Sequence, residues 1–329
     1  MAQVYVGLED EIAQFFARTS ATREECDNFA LAAFGGQVEP VSIQGATSYT
    51  VVAEQNREKI VQFRNMDAQL DMGMLDLARR IHGDVLPRGS YPGCIGDESG
   101  LRLAVYGMDR IRGDSYGMVR GSLGDFPDRQ LATTRSLARF FAQSWSRPVS
   151  PNPSELTAIA TELSNRLDDA ASSGILATCH EPVLDEVREH MPTFVSGDFP
   201  LVLTHSDLTE LNILVDGDTG IITGVVDWVD AAVQPFGLTL YALDKFIGGM
   251  GPSGWVYFDN ANALRSVFWT AFAEYAGIVS NSQMRSIEVA RKAGYLLRYG
   301  TYYDSNYKGV VGVEQMSVER RRLYLHAIL

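Results

Sequence analysis

Between His205 and Asp230 the chain carries six carboxylates (Asp207, Glu210, Asp216, Asp218, Asp227, Asp230) and neither Lys nor Arg. The apolar runs Leu201–Thr204, Ile213–Asp216 and Ile221–Asp227 thread through the same region and read as three short core strands. Asp216-Gly217-Asp218 is a hairpin turn by composition, since Asp and Gly are the default turn formers. Asp207 and Asp227 cannot be dismissed that way, because one follows an apolar run and the other ends one. A carboxylate held beside a core strand needs a strong partner. With no basic residue nearby in sequence, an oxygen-rich cluster of this type suits Mg²⁺ or Mn²⁺.

The texture of the chain divides near residue 112. The first 34 residues carry Ile12, Phe15, Phe16, Phe29, Leu31 and Phe34 at helical spacing until Gly35-Gly36 interrupts. Pro40–Thr47, Tyr49–Glu54 and Lys59–Arg64 are short and β-branched, as antiparallel strands are, and Ala68–His82 reads as a helix closed by Gly83. Leu101–Tyr106 and Gly107–Ile111 complete the first unit as a strand pair or a strand and connector. Beyond Gly113, helices are expected over Arg129–Trp145, Glu155–Asp169 and Val183–His190, with a loop at Pro148–Pro153. From Leu238 onward the pattern is mostly helical and aromatic. The expected architecture is α+β: residues 1–112 as an antiparallel-sheet lobe with N-terminal helices, and 113–329 as a mainly helical lobe with a small β insert.

One Asp that can orient and deprotonate a hydroxyl, an Asn five residues on, and a second Asp across a strand hairpin form the arrangement phosphoryl transfer uses. His205, Asp207, Asn212, Ile213 and Leu214, followed by Ile222, Gly224, Val225, Val226, Asp227 and Trp228, make the chain resemble the aminoglycoside phosphotransferase and choline kinase-like family. The resemblance implies a two-lobed protein-kinase-like fold binding Mg·ATP. It makes Asp207 the catalytic base, Asn212 and Asp227 the metal ligands, and His205 a structural brace of the loop. Ser42–Val51 resembles the family's strand–turn–strand phosphate cover, with Gly45 for backbone freedom and Thr47 and Ser48 as hydroxyl donors. The family's third-strand cation is represented by Arg64, or its place is taken by Gln62. Period two puts Ile60, Gln62 and Arg64 on one face and Lys59, Val61 and Phe63 on the other. Asp71 is the expected ion-pair partner of Arg64, with Asp67 and Asp76 as alternatives. Met108–Ile111 matches the connector whose backbone should meet adenine. Pro235–Leu238 with Tyr241, Leu243 and Asp244 departs from the bacterial resistance enzymes and resembles the divergent fungal branch. The resemblance implies a small-molecule acceptor between the catalytic loop and the C-terminal helices, whose aromatics, from Trp255 to Tyr302 and Tyr303, are mostly core at helical spacing.

Charge narrows the partners. The net charge is −13, yet Met284–Leu329 carries eight bases against four acids, so the preceding 283 residues are the more acidic. Nucleic-acid binding needs a basic footprint, which excludes it as an expectation. An acidic body concentrates cations and favours an amine-bearing acceptor. The longest uncharged stretches fall well short of the ~20 residues of a membrane span. Glu9, Asp10 and Glu11 argue against a secretory signal in Met1–Gln14. Cys26, Cys94 and Cys179 form no CxxC and are expected reduced, which together suggests a cytoplasmic protein. Two rivals to a small-molecule kinase follow from the loosely matching first lobe: a nucleotide-binding protein without turnover, and an enzyme reusing the fold for other chemistry.

Overall fold

The computed structural model describes residues 7–45, 47–97, 100–124, 127–251, 253–277, 279–301 and 316–328. Ala46, Tyr302 and Tyr303 lie outside them. The chain forms two compact units, one of residues 1–71 and 86–112, the other of 72–85 and 113–329.

The first unit opens with helices α1 (Leu8–Phe16) and α2 (Arg23–Phe34). Thr22 and Glu25 form a reciprocal capping box at the start of α2, and Gly35 ends it at φ 72°. Five strands follow: β1 (Glu39–Pro40), β2 (Ser48–Ala53), β3 (Lys59–Asn65), β4 (Gly89–Ile95) and β5 (Leu103–Asp109). They form one antiparallel sheet in the order β1-β2-β3-β5-β4. Tyr49, Val51, Val61, Phe63 and Val105 bury one face of it with Ile12, Phe15, Cys26 and Ala30 of the helices. Each such fully buried large apolar side chain contributes roughly 1.5–3 kcal/mol.

Two expectations are corrected here. Pro40–Thr47 is not a strand beyond Pro40, because the Gln44 side chain takes over the pairing: it accepts from Thr50 N at 2.8 Å and donates to Thr50 O at 2.9 Å and Val41 O at 3.0 Å. The strand β4 is an addition that Gly89, Pro92 and Gly93 conceal in the sequence. It lies at the sheet edge, with an irregularity between Ser90 and Gly93 that accommodates the proline.

In the second unit, helix α3 (Met72–His82) starts four residues later than its periodicity suggests, after a short 3₁₀ turn at Met66–Ala68. Then come β6 (Asp114–Ser115), α4 (Tyr116–Gly124), α5 (Pro127–Trp145), α6 (Pro153–Ser172) and α7 (Glu181–Phe194). Strands β7 (Leu201–Thr204), β8 (Ile213–Val215), β9 (Ile222–Val225) and β10 (Ala232–Pro235) follow. The order β6-β8-β9 makes one small sheet, and β7 pairs with β10. The remainder is α8 (Tyr241–Ile247), a hairpin of β11 (Gly248–Gly251) and β12 (Gly254–Tyr257), then α9 (Ala261–Ala276), α10 (Asn281–Tyr299) and α11 (Val318–Leu325). The hairpin interrupts a stretch that reads as mostly helical.

One close approach matters for the site. A Cβ on Gly294 of α10 would sit 1.8 Å from the Leu238 carbonyl oxygen, and one on Gly237, at φ 103°, would sit 3.0 Å from the Ile287 carbonyl oxygen. Only glycines let α10 lie directly on the segment leading into α8. Arg298 is one turn beyond Gly294 on the same face of α10.

Candidate active site

The loop between β7 and β8 carries His205, Asp207 and Asn212, and Asp227 lies two residues beyond the end of β9. Backbone bonds tighten the loop, Leu208 N to His205 O at 3.2 Å and Asn212 N to Thr209 O at 3.1 Å. Val226 N donates to Asn212 O at 2.9 Å, which ties the loop's end to the approach of Asp227. His205 is buried, and its Nε2 lies 2.7 Å from the Val226 carbonyl oxygen. A carbonyl only accepts, so Nε2 carries the hydrogen. Burial keeps the ring below imidazole's ordinary value, against the pull of that hydrogen bond and of the Asp207 and Asp227 charges. Its ring meets the edge of buried Trp228 at 4.8 Å, and Trp228 Nε1 donates to Val225 O at 2.9 Å. His205 thus clamps the loop to the strand that presents Asp227.

Asp227 has φ 62°, one of three non-glycine residues at positive φ among those described. Asp tolerates this left-handed conformation better than most residues, and holding a non-glycine there costs of order 1–3 kcal/mol. Such outliers gather where a side chain must be aimed.

Asp207 is held on both oxygens. Arg298 Nη2 donates to Oδ1 at 2.7 Å, and Asn212 Nδ2 donates to Oδ2 at 3.1 Å and to the Asp207 carbonyl at 2.9 Å. Arg298 is buried and anchored in turn. Its Nε donates to Tyr299 Oη at 3.3 Å and its Nη1 to Tyr241 Oη at 3.2 Å, with the guanidinium 4.9 Å from the Tyr241 ring centre. The Tyr241 hydroxyl donates to Ser206 O at 2.8 Å.

The local charge imbalance is therefore met largely by the protein, from far along the chain. Glu210 pairs with Lys245 at 3.2 Å and Arg120 at 3.9 Å. Burial works to raise its carboxyl, and the two cations outweigh that and hold it below the ordinary value. Asp216 is a turn residue, its Oδ1 accepting from Asp218 N, Thr219 N and Thr219 Oγ1. The sequence assigned the compensation to a metal and missed Arg298, Lys245 and Arg120, because nothing local marks them. Asn212 and Asp227 still fit a hard cation. The amide nitrogen of Asn212 is turned to Asp207, so those bonds do not engage its side-chain oxygen, and an amide oxygen and a carboxylate are donors of the type a hard cation takes.

Residues of the first unit group as follows. Ser48 and Arg64 are cross-strand partners, and Gly45 bridges to Ser48. Gly45 is not at positive φ; its role is close approach, since a Cβ would stand 2.7 Å from Ser48 Oγ. Thr47 is half-buried, whereas Ser48 is only 4% exposed. Arg64, 2% exposed, donates from Nε to Ala68 O at 2.8 Å and from Nη1 to Gln62 Oε1 at 3.3 Å, so Gln62 and Arg64 share a face. Lys59 ion-pairs with Asp109 at 2.6 Å. Asp71 immediately precedes α3, Met108 lies within β5 opposite Ile60, and Ile111 follows β5.

Residues 39–238 match the phosphotransferase enzyme family, known as APH. Among solved structures, the amicoumacin kinase hAmiN in complex with AMP-PNP, Ca²⁺ and Ami is similar, with TM-score 0.59 and 14% identity over 95% of each chain. The GDP complex of wild-type aminoglycoside 2'-phosphotransferase-IIIa gives TM-score 0.56 and 16% identity over 94% of this chain and 98% of that one. The apoenzyme of macrolide 2'-phosphotransferase MphH from Brachybacterium faecium gives 0.52 and 17% identity over 93% and 98%. No curated protein matches the sequence. At these identities the likeness shows the fold, which is the expected α+β protein-kinase-like one.

Proposed function

The chain belongs to the phosphotransferase enzyme family, and from that premise we propose that it transfers the γ-phosphoryl group of ATP to a hydroxyl of a small molecule. The observation that carries the reading is the Asp207 carboxylate fixed by Arg298 on one oxygen and Asn212 on the other. Each carboxylate oxygen keeps a further lone pair for an acceptor hydroxyl. Asp207 orients that hydroxyl and takes its proton, a contribution of typically 10²–10⁴-fold. Asn212 and Asp227 supply oxygens that would hold Mg²⁺, and the bound metal–nucleotide supplies the electrophilic phosphoryl group with its charge neutralised. His205 touches neither partner and positions the loop. On the first unit, Arg64 is assigned to the nucleotide phosphates with Asp71 as its partner. Gly45, Thr47 and Ser48 form the phosphate-covering turn, and Met108 and Ile111 lie along the adenine-binding connector.

The acceptor is read as a small molecule with a hydroxyl and an amine, in keeping with the acidic body. The segment Pro235–Leu238 with Tyr241, Leu243 and Asp244 is the ground for assigning the chain to a divergent, fungal-type branch. The test is twofold. Mg·ATP should raise the melting temperature and EDTA should cancel the shift, while Asp207→Asn keeps the shift and loses the acceptor-dependent release of ADP from ATP. No magnesium-dependent shift would overturn the reading.

A further inference from the structure

Outside the transfer loop, three side chains with nitrogen and sulfur donors converge. Cys179 and His180 lie in the 3₁₀ turn Thr178–His180 between α6 and α7, and His326 begins the 3₁₀ turn that follows α11. Arg322 of α11 fixes the two segments to each other, donating from Nε to Ile175 O at 2.7 Å and from Nη2 to Gly174 O at 2.9 Å. One ligand atom from each of Cys179, His180 and His326 lies within 4.8 Å of the other two.

We propose that Cys179, His180 and His326 bind a borderline divalent transition metal of the Zn²⁺ class through one thiolate and two imidazoles. The Cys179 Sγ to His180 Nδ1 distance is 3.7 Å, about the edge of a tetrahedron with metal–sulfur and metal–nitrogen bonds of about 2.3 and 2.0 Å. His180 already has the tautomer that Nδ1 ligation needs. Ala177 N donates to Nδ1 at 3.1 Å, so Nδ1 carries a lone pair and the hydrogen is on Nε2. Binding exchanges that amide hydrogen bond for the metal bond, and Cys179 releases its thiol proton to solvent. His180 is fully buried, while Cys179 and His326 are exposed and give the ion a route in.

The donor set separates this site from the nucleotide's. It contains no carboxylate, and Mg²⁺ demands oxygen ligands, whereas thiolate with imidazole selects Zn²⁺ and its neighbours. Three protein ligands leave a fourth position for water. The bound ion would staple α11 to the α6–α7 connection.

The probe is Co²⁺ titrated into the tag-free, reduced full-length chain. Expected are a thiolate-to-cobalt charge-transfer band, the visible bands of a tetrahedral site, displacement of both by Zn²⁺, and no displacement by Mg²⁺. Cys179→Ser should remove the charge-transfer band, and His326→Ala should weaken Zn²⁺ binding at least roughly tenfold. Zn²⁺ should raise the melting temperature of the parent and not of Cys179→Ser. His180 is spared because its loss would also disturb the buried turn. An absent band, a band that survives in Cys179→Ser (and so belongs to Cys26 or Cys94), or unchanged affinity in His326→Ala would overturn the site.

Discussion

Arg298 reaches Asp207 across 91 residues of sequence, its Nη2 lying 2.7 Å from Oδ1. The guanidinium side chain is 6% exposed and the carboxylate 22%. A charge pair this sheltered pays a desolvation cost that is offset only when the remaining donors are also bonded. Nε and Nη1 are bonded, to Tyr299, Tyr241 and the Ser206 carbonyl. Two tyrosines and a helix therefore set the orientation of the group assigned as the base.

Arg298→Lys tests that positioning. The ammonium keeps the charge but cannot reproduce a planar fork serving four partners. Steady-state kinetics should show kcat falling by roughly tenfold or more with KM for ATP nearly unchanged, because the loss falls on the acceptor hydroxyl's alignment. A proportional loss of ATP affinity, or a kcat like the parent's, would remove Arg298 from this role.

Asp227 carries a backbone prediction as well as a side-chain one. Asp227→Ala should abolish magnesium-dependent nucleotide binding, since a full charge is lost. The same change in Asn212, which removes only a dipole and the hydrogen bond to Asp207, should weaken it far less. Asp227→Gly should relieve the φ 62° conformation and melt above Asp227→Ala by a stability difference of about 1 kcal/mol. Calorimetry with Mg·ATP and thermal melts read the two effects separately. Equal nucleotide binding by Asp227→Ala and the parent would remove the metal from this strand.

What the sequence made legible was local. His205, Asp207, Asn212 and Asp227 announce themselves because a short loop and one hairpin bring them together, and the apolar runs of β7, β8 and β9 mark the strands. Arg298 and Lys245 gave no signal, since an Arg or Lys on an amphipathic helix looks like any solvated cation until the helix is packed. The strand β4 was hidden by Pro92, and the β11–β12 hairpin by four glycines among aromatics. Gly294 offered only a mild helix penalty in the sequence, and its purpose is visible only against Leu238 O.

Stability should fall with acid because of buried imidazoles. Burial pushes His82 down to about 3, against the hydrogen bond with Gln143, and burial also lowers His205. Unfolded, each ring titrates near its ordinary 6.5. Below that pH the unfolded chain takes up protons that the fold refuses, so stability is lost as pH falls from about 6.5 toward about 3. His82 contributes a slope approaching about 1.4 kcal/mol per pH unit over that range, and His205 acts in the same direction. Urea unfolding between about pH 7.5 and about pH 5, above the carboxylate range, isolates the effect. In His82→Gln the slope should drop by one ring's share, and an unchanged slope would refute the assignment.

The strand β3 supplies the sharpest test of the nucleotide grip. Arg64 and Gln62 share a face, and Arg64 is cross-strand from Ser48. Arg64→Ala should weaken ATP more than adenosine, because only phosphate contacts are lost. It should also cost about 1–3 kcal/mol of stability, since the Ala68 carbonyl loses its donor. Arg64→Lys should not be silent, as an ammonium cannot reach both Ala68 O and Gln62 with one fork. Lys59 is the control, although it is not an unattached surface charge: its half-exposed pair with Asp109 is worth about 0.2–1 kcal/mol. Lys59→Ala should lose that much stability and leave the ATP dissociation constant alone. If Lys59→Ala weakens ATP while Arg64→Ala does not, the cation that grips the phosphates lies on the other face of β3. If neither does, this unit does not hold the phosphates through β3, and turnover without ATP becomes the behaviour to look for.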